Sequence, residues 1–269
     1  MRVVEVPFIK AHGLCNDYVL VDHAALPDDD LATLARRICD RRTGVGADGL
    51  LVIGDGSGGA ASFCIVNADG SEAELCGNGL RCAAAYHAGG GEASTIIESA
   101  LGQHHAEVTR SSGGGWMVTM DLVPAEFEDD VPLVVDGVPR TLRVIRIGNP
   151  HAVLMVDGPP ADGLVSRVYA ACEAHERFRG GINVHVAWFD GADHLQMRSW
   201  ERGVGLVLAC GTGAAAVAAS LGDGPRRCSV HMPGGTLYIE VPPGHAAIRM
   251  EGPVVPVCEG VYRYAEDQP

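Results

Sequence analysis

Two similar α+β halves, each a mixed, mainly antiparallel β-sheet wrapped around one central helix, are predicted by three features of the sequence. A tetrapeptide with a reactive side chain occurs twice, as Cys76-Gly77-Asn78-Gly79 and Cys210-Gly211-Thr212-Gly213, its cysteines 210 − 76 = 134 residues apart. Neighbouring matches keep nearly that offset: Asp17–Asp22 falls against Ala152–Asp157 at 135, and Asn16 against Asn149 and Gly70 against Gly203 at 133. Several matches at one spacing mark an internal repeat. Finally, many short strand-like runs surround few helical ones, and the stretch after each tetrapeptide is rich in alanine and other small residues. Small helix formers let a sheet approach closely.

In chain order, strands are expected at Val3–Ile9, Tyr18–Val21, Leu50–Ile53, Ser62–Val66 and Thr95–Glu98, then at Thr141–Ile147, Val153–Val156, Val184–Trp188 and Leu195–Ser199. Helices are expected at Asp28–Cys39, Gly79–Ala88, Gly163–Glu176 and Gly213–Leu221. Ser111–Gly115 reads as a flexible turn or hinge. The expected division places residues 1–118, joined by 263–269, in the half carrying Cys76, and 119–262 in the half carrying Cys210. A length of 269 residues suits two domains of about 130. The reactive site is expected in the cleft between them.

Composition excludes several classes. A formal charge of −14 argues against nucleic acid. Met1–Lys10 lacks the apolar block of a signal peptide. The most apolar stretch, Gly205–Leu221, is interrupted by Gly211, Thr212 and Gly213, so no membrane span is expected. Nine cysteines, an odd number without a C-x-x-C pair, read as reduced cytoplasmic thiols. Of these, Cys39, Cys64, Cys172, Cys228 and Cys258 read as small core hydrophobes. Lys10 is the only lysine. A pyridoxal-phosphate enzyme needs a lysine for its Schiff base, and Lys10 lies on the first expected strand with no phosphate loop beside it. No cofactor and no metal are expected. Gly44–Gly49 matches G-x-G-x-x-G but follows a helix and opens a strand, the reverse of a dinucleotide fingerprint. His104-His105 would point to opposite faces of a strand.

Each cysteine of the repeat stands just before an expected helix, and the glycines that follow leave backbone N–H groups open to an anion. Two such ends suit a substrate carboxylate, with one sulfur on each side of its α-carbon. Pinning the carboxylate stabilises the charge that develops when a weakly acidic α C–H is lost. A helix N-terminus also lowers a thiol's pKa from ~8.5 toward about 7. Two thiols at one site titrate as a coupled pair, giving one base and one acid. Thiol redox or metal binding is the competing class. It lacks C-x-x-C spacing and leaves the nearby asparagines without a purpose.

The longer motifs resemble the diaminopimelate epimerase family. They are His12-Gly13-Leu14-Cys15-Asn16-Asp17-Tyr18, the run Asn67–Cys82, Gly148-Asn149-Pro150-His151, and the run Glu201–Gly213. The resemblance implies a cofactor-independent enzyme interconverting LL- and meso-2,6-diaminopimelate, with Cys76 and Cys210 as acid/base residues. It also implies that Gly77, Asn78, Gly211 and Thr212 hold the reacting carboxylate, with Asn16 nearby. Asn67, Asn149, Asn183 and Arg202 would read the distal amino-acid end, Glu201 would meet the substrate amine, and His151 would tune a cysteine. A homodimer is compatible with the sequence. Departures from the family pattern are Leu206 for a glutamate, Arg179 for a proline, Trp200 for a tyrosine and Cys15 for a glycine. They leave open a racemase of another amino acid, such as histidine.

Overall fold

The computed structural model describes residues 3–26, 30–72, 76–222, 224, 226–245 and 247–265. The chain divides into two compact units, Met1–Met120 with Pro253–Pro269, and Asp121–Gly252. The first contains β1 (Val3–Gly13), β2 (Asn16–Asp22), α1 (Leu31–Ile38), β3 (Gly49–Asp55), β4 (Ala61–Asn67), α2 (Gly77–His87), β5 (Ala93–Ser99), β6 (Gly102–Arg110) and β7 (Trp116–Asp121). The second contains β8 (Glu126–Phe127), β9 (Val131–Val135), β10 (Val138–Ile147), β11 (Asn149–Met155), α3 (Leu164–Glu173), β12 (Asn183–Phe189), β13 (His194–Glu201), β14 (Gly205–Val207), α4 (Gly211–Ala219), β15 (Arg226–Met232) and β16 (Gly235–Val241). The last strand, β17 (Arg249–Ala265), starts in the second unit and ends in the first.

The two sheets repeat one wiring. In the first, β1–β2 is antiparallel, β2–β3 parallel, β3–β4 antiparallel, β4–β5 parallel, and β5–β6 and β6–β7 antiparallel. In the second, β10, β11, β12, β13, β15, β16 and β17 pair in the same order with the same directions. A parallel pair needs a crossover connection. The crossovers supply the helices: α1 and α3 on the first, α2 and α4 on the second. The first sheet closes through β17, which pairs with both β1 and β7.

Two layers of burial follow. Outside the first sheet, Leu34, Ala35 and Ile38 of α1 pack on Val19, Val21, Leu50 and Val52. Outside the second, Val165, Val168 and Cys172 of α3 pack on Val144, Leu154, Val184 and Val186. Inside, α2 is buried from Gly77 to Ala85 and α4 from Gly211 to Ala219. A helix surrounded by sheet has no solvent face to mark, so α4 is apolar or small all round.

Several boundaries differ from the sequence reading. Both inner helices begin two residues earlier than expected, directly after Cys76 and Cys210. Asp30 caps α1, donating no proton but accepting from Ala32 N at 3.2 Å, and the expected start at Asp28 lies outside the described residues. Ser111–Gly115, read as a turn or hinge, is the turn of the β6–β7 hairpin, with Arg110 facing Trp116. The C-terminal segment of the first unit starts at Pro253, ahead of the expected 263, because β17 already pairs with β1 at Val255. Cys258 is exposed rather than in a core. Among the described residues no helix is long and apolar enough to cross a membrane.

Candidate active site

Cys76 is the N-cap of α2 and Cys210 the N-cap of α4, both in extended backbone, and neither side chain caps its own helix. The first amides of a helix have no intrahelical partner, so each thiol stands beside N–H groups that its own sulfur does not occupy.

Around Cys76 the polar groups are ordered from both ends. Arg81, fully buried, donates from Nη2 to Asn78 Oδ1 at 2.7 Å and from Nη1 to Gly77 O at 3.2 Å. Asn78 Nδ2 donates to Asn16 Oδ1 at 3.1 Å, and Asn16 Nδ2 donates to Asp48 Oδ2 at 2.8 Å. Guanidinium is donor-only and carboxylate acceptor-only, which fixes both amide orientations between them. Tyr18 Oη lies 2.6 Å from Asn16 Oδ1 and 2.8 Å from Cys76 Sγ. The phenol has one proton. While it serves Asn16 Oδ1, the thiol donates to Tyr18 Oη. Once the sulfur ionises, the phenol can turn to it.

Beneath this group Arg41 bridges Asp17 and Asp48, with 2.7 Å contacts to each, and Lys10 Nζ lies 2.9 Å from Asp17. Burial pushes the Asp17 carboxyl up, but hydrogen bonds and charge from Arg41 and Lys10 outweigh it and hold the pKa at about 2.

Around Cys210, which is 3% exposed, the partners differ. Its thiol is hydrogen-bonded to the Glu201 side chain; burial raises the Glu201 pKa and this bond partly offsets it. Thr212 Oγ1 is 4.0 Å from Cys210 Sγ, and Cys210 N donates to Met232 Sδ at 3.4 Å. His151 and His185 are fully buried, with His151 Nδ1 2.9 Å from His185 Nε2 and His185 Nδ1 2.9 Å from Ser199 Oγ. One ring nitrogen from each and Cys210 Sγ lie within 4.8 Å of one another. Burial pushes both imidazoles down, His185 to about 3, and His151 is further disfavoured as a cation by His185 and Arg146. Both rings are therefore neutral at ordinary pH. The buried thiols Cys39, Cys82 and Cys172 are pushed up to about 12 and Cys228 to about 11, chiefly by desolvation, which makes them inert.

The remaining residues expected at the site fall into smaller groups. Asn183 Oδ1 accepts from Arg202 N at 2.9 Å, and Arg202 Nη1 donates to Gly180 O at 3.0 Å. Asn67 Nδ2 donates to Ser71 Oγ at 3.0 Å in the turn after β4. Asn149 opens β11, two residues before His151, and is partly buried. In the long motif Asn67–Cys82, residues 73–75 lie outside the described residues. Leu206 is 65% exposed on β14 and Arg179 is exposed, while Trp200 stacks on Tyr169 with centroids 5.4 Å apart. Cys210 therefore has Glu201 as its acidic partner without any residue at position 206.

Sequence reasoning missed Tyr18, Arg81, His185 and Ser199 as site residues. Tyr18 and Arg81 lay inside quoted motifs. His185 and Ser199 were detectable only by laying one half on the other, where Leu51 and Ile65 occupy the matching places (185 − 51 = 134; 199 − 65 = 134).

The family model for diaminopimelate epimerase matches residues 8–127 and 143–257. A diaminopimelate epimerase of Geobacillus thermodenitrificans is 37% identical over 97% of this chain and 98% of its own length. One from Synechocystis is 38% identical over 94% and 97% respectively. Among solved structures, a probable proline racemase from Agrobacterium radiobacter shares the fold with a TM-score of 0.73 at 16% identity, over 97% of this chain and 93% of that one. With both halves of the repeat inside the match and both cysteines at matching helix ends, the chain belongs to the diaminopimelate epimerase family.

Proposed function

We propose that this chain interconverts LL- and meso-2,6-diaminopimelate, with Cys76 and Cys210 as a two-thiol acid/base pair. The observation behind this reading is the duplicated thiol environment. Each cysteine is the N-cap residue of a buried helix, and each sulfur is approached from the same place in its sheet, by Tyr18 on β2 and by His151 on β11 (151 − 18 = 133).

One thiolate removes the α-proton and the other thiol returns a proton to the opposite face. The amides at Gly77, Asn78, Gly211 and Thr212 stabilise the carboxylate as it takes up enolate-like charge. The Tyr18 phenol turns to Cys76 when that sulfur is the base. Cys210, hydrogen-bonded to Glu201, holds its proton ready to deliver; for the other stereoisomer the roles exchange. Arg202 supplies a donor fork suited to the distal carboxylate, with Asn67, Asn149 and Asn183 as neutral partners for the distal amino-acid group. The nine cysteines are all free, which supports a reducing, cytoplasmic setting.

The test is α-proton exchange in deuterated, reducing, chelator-containing buffer with LL-diaminopimelate, L-histidine and L-lysine in parallel. Deuterium uptake with formation of the meso isomer is expected for the first substrate alone. Exchange confined to histidine or lysine would contradict the substrate assignment, and no exchange with any would contradict the reaction.

A further inference from the structure

The two sheets differ at one buried place. In the first unit Leu51 on β3 faces Ile65 on β4, and both pack toward Gly79; a Cβ there would lie 3.2 Å from Ile65 Cδ1 and 3.4 Å from Leu51 Cδ2. In the second unit His185 on β12 faces Ser199 on β13, and a Cβ on Gly213 would collide with the His185 ring and lie 2.9 Å from Cys210 Sγ. The first unit fills this place with an apolar pair, so the fold does not require a polar one. Burying an imidazole and a hydroxyl costs desolvation that Leu and Ile avoid.

We propose that His151, His185 and Cys210 form a capture site for a single soft divalent cation of the zinc class, which ties up the Cys210 sulfur and stops turnover reversibly.

The donor set is two imidazoles and a thiol, the ligands zinc prefers, at about 2.0–2.1 Å for nitrogen and 2.3 Å for sulfur. In a tetrahedral site two nitrogens stand about 3.3 Å apart and nitrogen and sulfur about 3.6 Å. His151 Nδ1 and His185 Nε2 are at 2.9 Å, and all three donors lie within 4.8 Å. Adjustments of no more than about 1.2 Å therefore complete three corners. A water completes the fourth corner, and Glu201, hydrogen-bonded to the same sulfur, is the neighbouring carboxylate outside the donor set. His185 already has its outer nitrogen on Ser199 Oγ at 2.9 Å, the outer-shell bond that orients a ligating histidine. His151 Nε2 is buried without a hydrogen-bond partner among the described residues, so that ring can re-aim without breaking a second bond.

Charge balances as well. A dication, one thiolate, one carboxylate and two neutral imidazoles sum to zero, as a buried site requires. The step is redox-neutral. The hydrogen bond between His151 Nδ1 and His185 Nε2 breaks, its proton passing to the other nitrogen of the ring that carries it. The S–metal bond forms as the thiol proton, and any proton on Glu201, leaves to solvent. Around Cys76 the neighbours are Tyr18, Asn16 and Asn78, and no comparable donor set exists among the described residues.

The experiment uses the full chain without a histidine tag and without substrate, so its failure and that of the epimerase reading are distinguishable. Zinc binding is measured by equilibrium dialysis, and cobalt binding by its thiolate-to-metal charge-transfer absorption. One zinc per chain is expected for the unmodified protein and for Cys76→Ser. Binding should disappear in Cys210→Ser. It should weaken at least about tenfold in the double variant His185→Leu, Ser199→Ile, which copies the apolar pair of the first unit. Absence of stoichiometric zinc, or zinc held unchanged by Cys210→Ser or by a folded double variant, would overturn the proposal. Should the double variant not fold, the cobalt band of the unmodified protein against Cys210→Ser decides alone.

Discussion

At the scale of single residues, the two thiols are prepared differently. Cys76 has a phenol at 2.8 Å and an asparagine oxygen at 3.6 Å, whereas Cys210 has a carboxyl partner and neutral imidazoles close by. A hydrogen bond to a charged group contributes about 1.5–3 kcal/mol. Tyr18→Phe should therefore slow turnover roughly ten- to a hundredfold. It should also raise the pH midpoint for alkylation of Cys76, leaving that of Cys210 unchanged. Mass-resolved iodoacetamide kinetics measure both thiols in one sample, and equal shifts at both would contradict the assigned role. Asp17 makes a separate acid-stability prediction. Its pKa of about 2 lies below the ordinary 3.8, so its stabilisation is complete above pH 4 and is lost as pH falls through 2. About 2 kcal/mol is at stake. Asp17→Asn should lose that amount at pH 7 and flatten the acid limb between pH 4 and 2 in urea melts.

At the scale of elements, the glycines after each cysteine are not equivalent. A methyl at Gly79 meets flexible side-chain ends at 3.2–3.4 Å, while one at Gly213 runs into the His185 ring. Gly79→Ala should be tolerated, since the added helix propensity of ~1 kcal/mol offsets slight crowding. Gly213→Ala should cost about 1–3 kcal/mol and most of the activity; matched denaturation midpoints and rates compare the two. The turn from β1 to β2 offers a gain. Gly13 faces Asn16, and Leu14 and Cys15 between them have φ of 56° and 67°. Such a two-residue turn favours glycine at its second position. Cys15→Gly should stabilise the protein by up to about 1 kcal/mol, read as a higher urea midpoint, and remove an exposed thiol.

At the scale of the whole molecule, the repeat made much of the fold legible. The cysteine spacing and the offset of Asn16 to Asn149 gave two units with one wiring, although strand pairing sets Tyr18 against His151 and not, as the 135-residue match had it, against Val153. The small residues after each tetrapeptide gave their inner helices. Register was hidden, because it is decided by strand pairing across the chain. Leu51–Ile65 and His185–Ser199 are seen as one place filled in two ways only when β3–β4 and β12–β13 are laid side by side. The C-terminal strand was hidden for a related reason: nothing local in Pro253–Ala265 says that its partner is β1. For the candidate site, the motifs identified the thiols and the amide-bearing glycines, while the phenol, the buried arginine and the second histidine depended on packing.

The most direct test of the two-thiol claim is deuterium exchange at the α-carbon by Cys76→Ser and Cys210→Ser, assayed separately with LL- and meso-diaminopimelate. Each variant should lose epimerisation while still exchanging the α-proton of one stereoisomer, and the two variants should prefer opposite stereoisomers. Epimerisation at the unmodified rate by either variant would contradict the account.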